Sequence, residues 1–465
     1  MRRSTGSAPR SASSTAQREM TPTSGPTSTG RGGPGRAAAA PATTTAAATG
    51  PVRLVVLGGS APATVQLIDA LAGWSPGSPH RQPTGLDLVL HGRSRERLAA
   101  VAWAAGLRAD RLGLAVTVTA ETDRSAALTG ADIVLNQIRP GGLEQRSADE
   151  SFPRQFGIPG EETLGPGGFA CAVRAVASLR PVWADVVSHC PDALLINLTN
   201  PAGIVTQAAR AGFGLDVISV CDSPLDLLAA AADRLGFADP TGLRARYVGM
   251  NHVGWYVPES SDQLNGLAGL VAGLDPELPR LHGALPGPYL RYYAHPDWML
   301  AAQQGRPTRA DQLLELARSA LDSFGRGELP VTWQRPAPWY SLAVVPLIDA
   351  WISGSGPPLI VGLPNRGRLA WLPDDVIVEG PAVATMPGVI EPEPVTTLPD
   401  LPRGILARHA SYERLAATLL AAAPPTDDDL TRILLANPMV SSLDQARGLA
   451  GAIAARMSEF DPDWR

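Results

Sequence analysis

The sequence feature that most constrains the fold is a short apolar run, Val52–Leu57, followed at once by the turn Gly58-Gly59-Ser60. A run of this length, rich in β-branched residues, predicts a strand buried on both faces of a parallel sheet. Helical spacing follows from Ala63 to Leu71. The alternation of strands and helices predicts an α/β fold with a Rossmann-like, doubly wound parallel sheet. The further strand-like runs are Leu86–Leu90, Ala115–Val118, Ile133–Asn136, Leu194–Asn197 and Val217–Val220.

Composition divides the 465-residue chain into three parts. Residues 1–50 are almost entirely Ser, Thr, Ala, Gly, Pro and Arg, which indicates a disordered tail or a misassigned start codon. We expect residues 51–225 to form the Rossmann-like nucleotide-binding domain. Residues 226–465 are expected to form a second, α+β domain that serves substrate and metal binding and oligomerisation. Its pattern is less regular, with helical stretches near 308–323 and 405–423 and a strand at Val376–Glu379 typical of a smaller sheet.

Composition and charge exclude several classes of protein. Hydrophobic residues make up 45% of the chain, enough for a sizeable core. The formal net charge of −5 argues against a nucleic-acid-binding surface, which needs clustered Lys and Arg. No apolar run reaches the roughly 20 residues of a membrane helix, and no signal peptide is recognisable. Three cysteines, an odd number, fit a reducing compartment. We therefore expect a cytoplasmic protein with neither nucleic-acid nor membrane partners.

The turn at Gly58, Gly59 and Ser60 occupies the position at which a Rossmann unit holds a pyrophosphate. It lacks the full G-x-G-x-x-G spacing, so a tight turn without a ligand explains it about as well. The second strand carries no acidic residue at its end for the ribose hydroxyls of NAD. Arg93 and Ser94 stand there instead and would suit the 2′-phosphate of NADP. A solvated basic turn is equally consistent with them.

A set of motifs in the middle of the chain is the most specific signal. The segments are Asp132–Arg146, Gly160–Gly168, Asn197–Gly203, Val220–Pro224 and Gly249–Trp255, continued by Pro288–Tyr293 and Leu363–Gly367. In both content and order the set resembles glycoside hydrolase family 4, and the resemblance extends over nearly all of residues 52–460. The resemblance implies a glycosidase that uses a nicotinamide cofactor, NAD or NADP, together with Mn²⁺.

Two residues in these motifs are candidate metal ligands. Cys221 and His252 each adjoin a strand-like run, so both side chains are expected at the carboxyl edge of the sheet. A thiolate and an imidazole suit a divalent transition metal and leave positions open for substrate oxygens. Two ligands are too few for a structural zinc site. The alternative is a buried cysteine and an ordinary hydrogen-bonded histidine.

The resemblance also implies roles for other residues. Tyr289 matches the catalytic base, with Tyr292 and Tyr293 as rivals and a structural aromatic cluster as the alternative. A base of this kind needs a lowered pKa, which a nearby metal would supply. Asp222 matches an acid present in some members. The residues expected to contact substrate are Arg146, Asn200 and Arg309, for which an ion pair or a turn before proline are the alternatives.

The mechanism implied by the resemblance is an exception to the usual pair of carboxylates in glycosidases. Hydride removal at C3 of the sugar acidifies the C2 proton, the aglycone leaves by elimination, water adds and the hydride returns. The expected substrate is a β-glucoside, with a phosphate at C6 favoured. Three alternatives stay open: an α-specific enzyme of the same family, a sugar dehydrogenase, and a non-catalytic nucleotide or sugar-phosphate sensor. A homodimer or homotetramer is expected.

Overall fold

Six parallel strands form the first half of a single sheet in the computed structural model, which describes residues 50–72, 85–330 and 332–460. The order of these strands is β3-β2-β1-β4-β5-β6, the arrangement of a doubly wound dinucleotide-binding sheet. The predicted tail lies outside the described residues except for Gly50. The strands are β1 Val52–Leu57, β2 Leu86–His91, β3 Val116–Glu121, β4 Ile133–Asn136, β5 Leu194–Asn197 and β6 Val217–Ser219.

Antiparallel strands continue the same sheet beyond β6, in the order β10-β11-β7-β8-β9, with β12 beside β11. Gly362 pairs with Ser219 at the junction, where any side chain at 362 would collide with the Ser219 hydroxyl. The prediction of a separate smaller sheet around Val376–Glu379 is therefore wrong. These strands are β7 Tyr247–Met250, β8 Val253–Tyr256, β9 Leu285–Pro286, β10 Leu359–Pro364, β11 Ile377–Met386 and β12 Val389–Pro392.

Helices cover the sheet, and among the described residues none is both long and apolar enough to span a membrane. Short 3₁₀ segments connect several of them, and a π-helical turn at Tyr340–Val344 precedes α13. The helices are α1 Gln66–Leu71, α2 Arg95–Leu112, α3 Arg124–Leu128, α4 Gly142–Ser151, α5 Gly165–His189, α6 Ala202–Phe213, α7 Ser223–Leu235, α8 Ser261–Gly266, α9 Leu278–His282, α10 Arg291–Ala294, α11 Pro296–Gln303, α12 Arg309–Gly325, α13 Val345–Ser353, α14 Asp400–Ala422, α15 Asp427–Ala436 and α16 Leu443–Phe460.

The hydrophobic core lies on both faces of the parallel strands. Along β1, Leu54 and Val56 belong to one buried cluster, and Val55 and Leu57 belong to another. This division follows from the alternation of side chains along a strand, and it explains why the run is continuously apolar. The strand is thereby fixed in place, which positions the turn that follows Leu57.

The second half of the chain packs closely onto the first. Helix α14 lies against α6, and a third buried cluster forms beneath the β7–β8 hairpin from residues that include Met250 and Trp255. The sheet runs through the predicted boundary after residue 225, which remains a prediction. This interleaving brings residues of the second half over the carboxyl ends of the parallel strands.

Candidate active site

A cleft of about 1370 Å³ opens at the carboxyl ends of the parallel strands. Pockets for a single small ligand usually measure roughly 300–1,000 Å³, so the cleft has room for a dinucleotide and a second ligand. Turns after β1, β2, β4 and β6 line one side, and residues from the hairpin and from α12 line the other. In doubly wound sheets, ligands bind where the strand order reverses, which here is between β1 and β4.

The turn after β1 is tightly packed against its neighbours. Gly58 has a φ of +86°, and a Cβ there would lie 3.0 Å from the backbone of Gln137, which follows β4. A Cβ at Gly59 would lie 2.9 Å from the Cβ of Leu90. Backbone packing alone therefore requires both glycines, and their role in holding a pyrophosphate remains a prediction. Gly58 and Ser60 both line the cleft.

The end of β2 shows how the predicted pair Arg93 and Ser94 is arranged. Both residues are exposed, and Arg93 lines the cleft. The Ser94 hydroxyl accepts a hydrogen bond from the Arg97 amide at 3.4 Å and so caps helix α2. Ser94 thus has a structural task that the sequence analysis did not assign to it.

Cys221 and Asp222 follow β6 at the deeper end of the cleft. Burial, reinforced by the Glu379 and Asp222 carboxylates, raises the pKa of the Cys221 thiol well above its usual value. Burial also raises the pKa of Asp222. The Asp222 side chain makes no capping bond to α7, although it stands at the N-cap position. A raised pKa makes a carboxyl group better suited to act as a general acid.

His252 occupies the turn between β7 and β8 with a φ of +67°, which is unusual for a residue with a side chain. Its Nδ1 is buried and has no hydrogen-bond partner within the described ranges. Burial lowers the pKa of His252 to about 4, which keeps the imidazole neutral. The ring stacks on Tyr289 with centroids 3.7 Å apart and planes 6° apart.

The three candidate tyrosines are placed differently. Tyr289 and Tyr292 line the cleft, whereas the Tyr293 hydroxyl lies 3.0 Å from Nδ1 of buried His409. Burial, followed by the charge of Glu161, raises the pKa of Tyr289, opposite to the direction that a base requires. A base role for Tyr289 therefore depends on a positive charge nearby, such as a metal held by the histidine that it stacks on.

All three predicted substrate residues, Arg146, Asn200 and Arg309, line the cleft. Arg146 is buried and contacts Glu150 at 2.7 Å and Glu162 at 2.9 Å. The Asn200 carbonyl accepts a hydrogen bond from the Cys171 thiol at 3.5 Å. Arg309, the first residue of α12, is exposed and donates to the Gln312 side chain at 3.0 Å.

Sequence analysis missed further charged residues on the cleft. Arg139 pairs with Glu162 at 2.5 Å. The Arg335 side chain makes no ion pair in the described part of the chain, and its guanidinium lies 5.3 Å above the Trp339 ring. Burial, then repulsion from Arg146 and Arg139, lowers the pKa of Arg335 to about 10. Glu162 lies in a motif noted above, but Arg335 lies in an irregular segment without any sequence signal.

The donor set fits a two-ligand metal site. No group of three or more His, Cys, Asp or Glu within residues 50–72, 85–330 and 332–460 is arranged to hold a metal. Cys221 and His252 both line the cleft, and a neutral imidazole with an unpartnered buried nitrogen is the form of histidine that binds metals. A thiol with a raised pKa would lose its proton on metal binding. Their role as ligands remains a prediction.

The fold and the cleft define a Rossmann-type scaffold whose ligand cleft is also lined by charged residues of the second half of the chain, such as Arg309 and Arg335. Residues 80–236 match the family described as Family 4 glycosyl hydrolase, and residues 247–440 match the Family 4 glycosyl hydrolase C-terminal domain. The chain belongs to glycoside hydrolase family 4. The resemblance inferred from the motifs and the predicted fold class are therefore confirmed.

Individual relatives include both anomeric specificities. A probable 6-phospho-β-glucosidase from Bacillus subtilis (strain 168) is 28% identical over 423 residues, covering 84% of this chain and 93% of that protein. The 6-phospho-β-glucosidase of Thermotoga maritima, solved with manganese, NAD⁺ and glucose-6-phosphate, has a TM-score of 0.78 at 22% identity, covering 88% and 99%. A 6-phospho-α-glucosidase from gut microorganisms, in complex with NAD and Mn²⁺, has a TM-score of 0.75 at 20% identity, covering 88% and 99%.

Proposed function

We propose that this chain is a 6-phospho-glucosidase that prefers β-linked substrates and requires a nicotinamide cofactor and Mn²⁺. The observation that carries the proposal is the stacking of His252 on Tyr289 in a cleft that also holds Cys221 and Asp222 and continues to the glycine turn. The names of the relatives support a 6-phospho-glucosidase of either anomeric specificity, and the ligands of the solved structures support the nicotinamide cofactor and Mn²⁺. A cytoplasmic location and a homodimeric or homotetrameric state complete the proposal.

When bound, the nicotinamide would accept and return a hydride, and the metal would polarise the oxygens on C2 and C3 of the sugar. Cys221 and His252 would hold the metal. Tyr289, beside the metal histidine, would remove the proton from C2 of the sugar. Asp222, whose pKa is raised by burial, would donate a proton to the leaving oxygen at C1. Cys221 and His252 are buried, and Tyr289 and Asp222 are partly buried, which limits the access of water to the reacting atoms.

An anionic group on the sugar accounts for the presence of Arg309 and Arg335 on the cleft. The positive charge of Arg146 is offset by Glu150 and Glu162, whereas Arg309 and Arg335 have no carboxylate partner within the described residues. Guanidinium groups bind phosphate oxygens in a bidentate manner. We assign Arg309 and Arg335 to the 6-phosphate and Arg146 and Asn200 to the sugar hydroxyls.

The second candidate is a 6-phospho-α-glucosidase of the same family. The observation in its favour is the presence on the cleft of the Asp222 carboxyl, whose pKa is raised by burial, because the resemblance associates an acid at this position with α-specific members. The motifs Asn197–Gly203 and Tyr289–Tyr293 instead resemble those of the β-specific members. Elimination depends less on leaving-group geometry than direct displacement does, so we expect β-preference with detectable α-activity.

The test is a panel of α- and β-nitrophenyl glucosides, each with and without a 6-phosphate, assayed with Mn²⁺ and each nicotinamide cofactor under reducing conditions. The proposal expects the fastest turnover with the phosphorylated β-substrate and none in excess chelator. Turnover of α-linked substrates alone would overturn the β assignment. Full activity in excess chelator would overturn the metal requirement.

A further inference from the structure

The nucleotide end of the cleft is formed by the segments that follow β1, β2 and β3, and its charged side chains among the described residues are basic. His91, Arg93, Arg97 and Arg124 all line this end. The carboxylates that line the cleft in the described part of the chain lie on other segments, and they are Glu144, Glu150, Glu161, Glu162 and Asp222. This separation of charge is what a nucleotide with an additional phosphate would require.

The position that reads the ribose is occupied by a histidine. An enzyme specific for NAD places Asp or Glu at the end of the second strand, where the carboxylate accepts hydrogen bonds from the ribose hydroxyls. Here β2 ends at His91. The one acid in this strand, Asp87, lies near its start and pairs with Arg53 at 2.5 Å. It cannot reach a ligand beyond the carboxyl end of the strand.

Two further carboxylates lie close by, at the end of β3 and after it, but both are committed to local structure. Glu121 accepts a hydrogen bond from the Asp123 amide at 2.8 Å. Asp123 caps helix α3 by accepting from the amides of Ser125 and Ala126. Neither carboxylate lines the cleft. Among the residues that the structure describes, a ribose hydroxyl therefore finds no acidic acceptor at this end of the cleft.

The arginines at the start of α2 are available to a ligand. Within the described ranges, the guanidinium groups of Arg93 and Arg97 make no ion pair, whereas Arg124 pairs with Asp185 at 2.5 Å. Arg93 and Arg97 flank the first turn of α2, whose amides carry the positive end of the helix dipole. Two unpaired guanidinium groups beside such amides form a receptor for a phosphate.

A buried, unpartnered group gives independent support for a ligand here. His91 lines the cleft and is 6% exposed, and its Nδ1 has no hydrogen-bond partner in the described part of the chain. Buried polar groups normally have partners, and a ligand in the cleft would supply one for this ring nitrogen. Gly92 packs against Ser60 of the glycine turn, which places His91 and Arg93 next to the proposed pyrophosphate site.

We propose that the nucleotide end of the cleft selects NADP over NAD, with Arg93 and Arg97 binding the 2′-phosphate. This inference rests on the proposed function, which makes a nicotinamide dinucleotide the ligand. The inference goes beyond the proposed function because it predicts a preference for NADP, whereas the solved structures named above contain NAD. Ser94 contributes by capping the helix that presents the two arginines.

Direct binding measurements test the proposal without relying on turnover. Isothermal titration of the full chain with NADP⁺, NAD⁺, adenosine 2′,5′-bisphosphate and AMP separates the effect of the 2′-phosphate from that of the nicotinamide. We expect each 2′-phosphorylated ligand to bind at least about tenfold more tightly than its counterpart. Arg93→Ala and Arg97→Ala should each remove most of this preference and leave NAD⁺ affinity almost unchanged.

Arg95→Ala is the matched control, because Arg95 lies between the two arginines but does not line the cleft. It should preserve the preference for NADP⁺. Equal affinities of the unmodified chain, or tighter binding of NAD⁺, would overturn the NADP assignment and leave the proposed function intact. If neither dinucleotide binds, the proposed function fails together with this inference.

Discussion

The two ends of the cleft differ in how exposed their arginines are and in whether carboxylates hold them. At the nucleotide end, Arg93 and Arg97 are exposed and the walls are defined mainly by backbone that Gly58 and Gly59 allow to approach. At the sugar end, Arg146 is buried and held by carboxylates. An exposed guanidinium can be exchanged at little cost in stability, whereas a buried one takes part in a network that must stay complete. Substitutions that change the cofactor preference can therefore leave the buried network around Arg146 intact.

The largest expected effect comes from removing the Tyr289 hydroxyl. Tyr289→Phe removes the hydroxyl proposed to act as the base, and we expect turnover to fall by about 10²–10⁴-fold. The stacking on His252 should persist, because the phenyl ring retains the aromatic face. The measurement is steady-state turnover of the phosphorylated β-substrate, with thermal unfolding to verify the fold. Tyr292→Phe is the matched control, and a greater loss in that variant would move the base to Tyr292.

The second effect is on stability. Glu162→Gln leaves Arg139 and Arg146 without their shared carboxylate in a buried setting. We expect the free energy of unfolding in urea to fall by about 3–5 kcal/mol. Glu144→Gln is the control on the same cleft, since Glu144 is well exposed and lies 3.7 Å from Arg318. Its expected cost is about 0–1 kcal/mol. Equal losses in both variants would contradict the contrast between buried and exposed charge pairs.

The smallest effect concerns the recognition of phosphate. Arg335→Ala should raise KM for phosphorylated substrates about tenfold, because one charge-assisted contact is lost. It should have little effect on unphosphorylated ones. Arg318→Ala, which removes an exposed guanidinium from the rim of the same cleft, should change neither value. An equal rise in KM for both kinds of substrate would show that Arg335 does not bind the phosphate.

The central part of the parallel half follows from the sequence because its strands are buried on both faces, whereas the edge strand β3 is largely exposed. Ile133–Asn136 and Leu194–Asn197 are continuous apolar runs, and the predicted and observed bounds agree. The continuation of the sheet beyond β6 could not be predicted in the same way. It depends on the close approach of Gly362 to Ser219, which are far apart in the chain and show no local pattern.

The residues of the candidate site likewise fall into those that the sequence predicted and those that it did not. Residues in compact motifs, such as Cys221, His252 and Tyr289, were found because their neighbours carry a recognisable pattern. Arg335 was missed because its segment shows no periodicity, and only the tertiary structure brings it to the cleft. The capping role of Ser94 was missed although its position before a helical stretch is a recognised signal.

The most direct test of the central claim follows the hydrogen on C2 of the sugar. The chain is allowed to cleave a 6-phospho-β-glucoside in D₂O with Mn²⁺ and the dinucleotide, and the sugar phosphate is analysed by mass spectrometry and NMR at early times. Incubation of the product alone serves as the control for later exchange. Removal of the C2 proton by Tyr289 predicts deuterium at C2 in the product of hydrolysis. Efficient cleavage with no deuterium at C2 would contradict the elimination mechanism and the role of Tyr289.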